Sequence, residues 1–94
     1  MKTVILLPKE DIVQIRFPKE DVLNNPIEVK SRENDLERAR TLGNLEHIKV
    51  KISFMDFNMN QYEVETTIWA LTDESVCLKG HLFLPKRAVL SLRY

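Results

Sequence analysis

Cysteine is almost absent from these 94 residues: Cys77 stands alone. A single cysteine cannot close an internal disulfide, so the chain must fold on apolar burial, as proteins of a reducing compartment do. The expectation is a cytoplasmic protein with Cys77 as a small buried apolar residue. Glycine is scarce too, with two residues, which excludes a flexible linker and a phosphate-cradling glycine loop. No apolar run approaches the roughly 20 residues of a membrane span. The opening "MKTVILLP" starts like a secretory signal, but Pro8 and the Glu10–Asp11 pair interrupt it. An apolar region of about 7–15 residues and a small-residue cleavage site are both missing. Neither sign of charge is in excess, with 14 basic and 14 acidic side chains, so no global field directs the chain to nucleic acid or membrane.

Chemistry-bearing residues are equally sparse. A metal centre needs three or four converging ligands. Cys77 and His81 are four apart, but they flank Gly80 between expected strands, and His47 lies elsewhere. Cys77 or Ser91 paired with a histidine lacks the sharp-turn context of an activated nucleophile. Glu63 and Glu65 share an open strand face with no pocket to raise either pKa. The expectation is a non-catalytic protein without metal or cofactor.

What is present is an ordinary globular composition, 44% hydrophobic and 30% charged, in a chain able to bury about 60–65% of its unfolded surface. "PKED" occurs twice near the N-terminus, and "LPKRAVL" echoes it near the other end. Ten residues is too short a period for a stacking repeat. Each copy follows Leu7, Phe17 or Leu84 and precedes new aliphatics, the pattern of a strand, a proline-led turn and the next buried element.

Val4–Leu7 is a short apolar run and Val13, Ile15 and Phe17 alternate with polar residues, which predicts an N-terminal β-hairpin. "SRENDLERARTL" at 31–42 predicts a helix capped by Ser31 or Asn34, with a stripe of Leu36, Ala39 and Leu42 and a left-handed stop at Gly43–Asn44. "HIKVKISF" and "QYEVETTI" each alternate, apolar on one face and polar on the other. Pairing Phe54 with Tyr62, Ile52 with Val64 and Lys51 with Glu65 matches both faces at once. Past Ile68 the pattern changes face, which predicts a bend or bulge, with Trp69 in the core. "TDES" makes the next turn. Short strands flank Gly80, Pro85 begins a turn, and "AVLSLRY" closes the chain.

From His47 onward the rhythm of bent hairpin, two short strands, proline-led turn and closing strand resembles small SH3-like or Sm-like barrels. The resemblance implies a single 3₁₀ turn at "PKRA" and, from the Sm-like RNA binders, a contact near Lys86 and Arg87. The segment "VETTIWALTDESVCLKG" also resembles short uncharacterised bacterial proteins, which carry no function to transfer.

Charge is uneven along the chain. Residues 57–74 hold Glu63, Glu65, Asp73 and Glu74 without a cation, and residues 75–94 hold Lys79, Lys86, Arg87 and Arg93 without an acid. Gathered on one rim, the second set could meet RNA or an acidic protein surface. Phe57 and Met59 sit in the loop "DFNMN", where apolar side chains either fold back or contact a partner. The sequence thus predicts one α+β domain over 1–94: an N-terminal hairpin and turns at 1–30, a helix and cap at 31–46, and a strongly bent antiparallel sheet or barrel at 47–94. Its expected role is a binding or adaptor module using Lys79, Lys86, Arg87 and Arg93. The other reading is a self-associating protein, a homo-oligomer using Phe57, Met59 or an open strand edge.

Overall fold

The structure is a computed structural model that describes residues 3–94. It is an α+β fold with one long helix and two sheets. The first sheet contains β1 (Val4–Leu6), β2 (Val50–Met55), β3 (Gln61–Thr66) and β7 (Val89–Arg93), in the order β1-β3-β2-β7. The second contains β4 (Ile68–Leu71), β5 (Ser75–Leu78) and β6 (Leu82–Pro85), in that order. The helix α1 runs from Pro26 to Glu46. The two ladders do not close on one another, so the expected barrel is not formed.

The central hairpin has the register that its side chains demand. Phe54 faces Tyr62, Ile52 faces Val64 and Lys51 faces Glu65. Phe54, Ile52, Val50 and Val64 are buried on the inner face, and the Phe54 and Tyr62 rings stack at 5.4 Å. β3 runs through Thr67 into β4, and the register shifts between Ile68 and Ala70. This bulge is the bend expected where the pattern changes face. It does not carry Trp69 inward: Trp69 is 42% exposed, because the extra residue of the bulge turns it to the outer surface.

The N-terminal hairpin is not formed. Pro8 stands in extended backbone ahead of a 3₁₀ turn at Lys9–Gln14, where the Asp11 amide donates to the Pro8 carbonyl. The three-residue period of that turn buries Ile12 and leaves Val13 exposed, so the apparent alternation at 13–17 is not a strand. Freed from a hairpin partner, β1 pairs in parallel with β3, placing Ile5 beside Tyr62. The first sheet is therefore mixed, not antiparallel throughout. Pro85 similarly leads a 3₁₀ turn at Lys86–Ala88 between β6 and β7. Pro18 leads an irregular bend in which Phe17 turns back onto Phe54, ring centroids 6.1 Å apart.

α1 is longer than its apolar pattern. Asn25 is the N-cap, its side chain accepting from the Ile27 amide at 2.8 Å, and Pro26 takes the first helical position where its missing N–H costs nothing. Ser31 and Asn34 are interior and exposed. The left-handed stop falls at His47 (φ 55°), whose N–H bonds the Gly43 carbonyl. The buried stripe is Arg32, Leu36, Ala39 and Gly43, spaced for one helix face. Leu42 is only half-buried.

Gly43 marks the closest approach of helix and sheet. A Cβ there would stand 2.3 Å from the Ile68 carbonyl oxygen and 3.0 Å from Thr67 Cγ2. In an exposed helix interior, Gly→Ala stabilises by about 1 kcal/mol. Here the sign reverses. Gly43→Ala is expected to lower unfolding free energy by about 2–3 kcal/mol in urea titrations, the usual cost of overpacking against rigid backbone.

Candidate functional site

The four cations of the expected basic rim lie at three places. Lys86 is buried, and its Nζ donates to Glu33 Oε1 of α1 at 2.7 Å. Arg87 is exposed but its Nε donates to the Pro18 carbonyl at 2.6 Å. Arg93, on β7, pairs with Glu63 across the outer face of the first sheet. Lys79 lies in the β5–β6 turn, the one member whose side chain has no hydrogen-bond acceptor among the described residues. Lys86 and Arg87 do share a cleft of about 280 Å³ with Arg32. The same cleft is lined by Asp21, Glu33, Asp73 and Glu74, so acids outnumber bases in it.

Within that cleft Arg32 is structural. Its guanidinium forks onto Asp21 at 2.8 and 2.6 Å and donates to the Val89 carbonyl at 3.0 Å. It thereby ties the 18–25 segment and β7 to α1. Burial alone would raise the Asp21 carboxyl. The Arg32 hydrogen bonds, the Leu23 amide and the guanidinium charge together bring it below 3.8. Arg32 Nε has no partner, but it is shielded from solvent and hence from any ligand.

The β2–β3 loop is built around Asp56. This carboxylate is buried yet accepts from the Asn58 and Asn60 amides, from Asn60 Nδ2 and from Tyr62 Oη, all at 2.8–3.0 Å. Burial would raise its pKa, but these hydrogen bonds outweigh that cost and hold it below 3.8. The same bond, with burial, pushes the Tyr62 phenol above 10.0. The knot decides the fate of the two loop apolars. Phe57 folds back, its amide bonded to the Arg16 carbonyl and its ring 4.3 Å under the Arg16 guanidinium. Met59, held at φ 66°, is 68% exposed.

Met59 points to a surface that the sequence reading named only as an open strand edge. It shares a groove of about 350 Å³ with Thr3, Ile5, Asn60 and Gln61. Ile5 belongs to β1, whose three residues Val4, Ile5 and Leu6 are 41%, 42% and 74% exposed. On the far side of β1 a second groove of about 440 Å³ runs between Leu6, Leu7, Pro8 and the charged row Lys9, Lys51, Glu63 and Glu65. Each of the other three sheet edges is packed against a helical element: β4 and β7 by α1, β6 by the first 3₁₀ turn. β1 packs substantially only on β3. The sequence signal for this edge is the uncharged Val4–Leu7 run, masked by the alternation at 13–17 that mimics a hairpin partner.

The thiol of Cys77 is half-buried in β5, between Ala70 of β4 and Phe83 of β6. His81 is exposed at φ 61° in the neighbouring turn, and His47 caps α1. Among the described residues no three His, Cys, Asp or Glu side chains gather as metal ligands, and no helix is long and apolar enough to cross a membrane.

Asp56→Ala is expected to destabilise the fold by about 2–3 kcal/mol at neutral pH, since charge-assisted bonds are lost and buried donors are left unpaired. Because the folded pKa is depressed, the wild-type advantage is present above pH 3.8 and disappears as the pH falls through the folded value. Urea titrations of both proteins from neutral to acid pH should show the gap closing in that direction. The chain matches no protein-family model, no curated protein and no solved structure.

Proposed function

We propose that this protein is a non-catalytic interaction module that makes contact by strand addition at the open β1 edge. The observation that carries this reading is the coincidence, on one strand, of exposed aliphatic side chains and unshared backbone groups. Edges of sheets are normally blunted by shortness, charge, proline or a covering element. β1 is short, at three residues, but Val4, Ile5 and Leu6 carry no charge and no proline, and their side chains are exposed.

The backbone of β1 is oriented to match. The Leu7 amide donates to the Glu63 carbonyl, so residues 5 and 7 direct their peptide groups to β3. By the alternation of a strand, Val4 and Leu6 direct theirs outward. An added strand would satisfy those groups and lay its side chains over Val4 and Leu6 on one face and Ile5 with Met59 on the other. The basic residues support the reading less well as a ligand surface, since Lys86, Arg87 and Arg93 are occupied within the chain.

Two titrations followed by amide NMR discriminate these surfaces. A synthetic heptapeptide of alternating valine and threonine should shift the Val4 and Leu6 amides, persist in high salt, and lose its effect in Leu6→Pro. Total cellular RNA should leave the spectrum unchanged. A salt-sensitive RNA complex centred on Lys79, Lys86 and Arg87 would overturn the reading.

A further inference from the structure

We infer that the strand added to β1 is β1 of a second copy of this chain, running antiparallel across a two-fold axis through Ile5. This inference rests on the strand-addition reading above and names its occupant.

The register follows from the backbone. Val4 and Leu6 each offer an outward N–H and C=O, and Ile5 between them offers none. In an antiparallel ladder, residues that exchange both hydrogen bonds alternate with residues that exchange none. Centring the two-fold on Ile5 sets Val4 against Leu6 of the second copy, and Leu6 against its Val4, as bonded pairs. The two Ile5 residues then meet as the intervening non-bonded pair, where side chains approach most closely. Every outward group of one β1 thus finds a complement on the other, and each exposed aliphatic side chain of the strand meets an aliphatic one, Leu6 against Val4 and Ile5 against Ile5. The contact is isologous and closes on itself as a dimer. The result is one continuous sheet in the order β7-β2-β3-β1 followed by the same strands in reverse.

Charge agrees with this occupant. No ionisable side chain lies on Val4–Leu6, and the chain as a whole carries formal net charge +0, so copies approach without long-range repulsion.

Analytical ultracentrifugation from micromolar to millimolar protein tests this. The wild type should sediment as a monomer–dimer equilibrium that high salt does not dissolve. Leu6→Pro removes an outward N–H and leaves the ladder to β3 whole, so it should weaken the dimer roughly 100-fold or more with an unchanged circular dichroism spectrum. Because position 4 faces position 6, Val4→Glu or Leu6→Lys alone should give monomers and the double variant Val4→Glu/Leu6→Lys should dimerise again. A dimer that ignores Leu6→Pro, or a double variant that stays monomeric, would overturn the inference. A wild type that is monomeric at millimolar concentration while the valine–threonine peptide still shifts Val4 and Leu6 would overturn the second copy and leave strand addition standing. Loss of both signals would remove both.

Discussion

The contact between the Gly43 backbone and the Ile68 carbonyl is the constraint on which the arrangement depends. At Thr67 the chain leaves the first sheet for the second, and among the described residues no ladder joins the two. Only a helix position without a side chain can approach that bend so closely. From there α1 passes Ala39 and Leu36 to Arg32, whose guanidinium reaches Val89 on β7. A single helix therefore fastens both sheets, at Gly43 by shape and at Arg32 by hydrogen bonds. The same placement packs α1 against β4 and β7 and leaves β1 packed substantially only on β3.

Legibility from sequence followed the range of the interactions. The β2–β3 pairing was readable because two complementary patterns, apolar on one face and charged on the other, agree on one register. The turn at Thr72–Ser75, the strands around Gly80 and the turn after Pro85 were equally local. The helix limits were not, since its buried stripe begins with an arginine and ends with a glycine, neither of which registers as apolar. The N-terminus misled for a different reason. Val13, Ile15 and Phe17 mimic a strand, while β1 finds its partner more than fifty residues away at Gln61–Glu63. Parallel pairing at that distance leaves no trace in local periodicity. Trp69 reads as inward from sequence because the bulge that turns it outward cannot be placed by counting residues.

The candidate site shows the same division. Phe57 and Met59 stood out in sequence as loop apolars, but only the Asp56 knot separates them, folding one onto Arg16 and holding the other outward. The cations of the last twenty residues are clustered in sequence and dispersed in space, with Glu33 and Glu63 supplying partners from other elements. Charge counted along a chain overstates free charge wherever distant acids fold onto it. The open edge was visible as an uncharged aliphatic run, and its exposure followed only once the expected hairpin was replaced by pairing with β3.

Association through β1 requires that its outward peptide groups be shared between molecules. Native-state amide hydrogen exchange, read residue by residue at increasing protein concentration, addresses that directly. Leu6 exchange should slow with concentration, while Leu7, already bonded to Glu63 within the chain, should stay constant. A Leu6 rate that is independent of concentration up to the millimolar range would contradict the account.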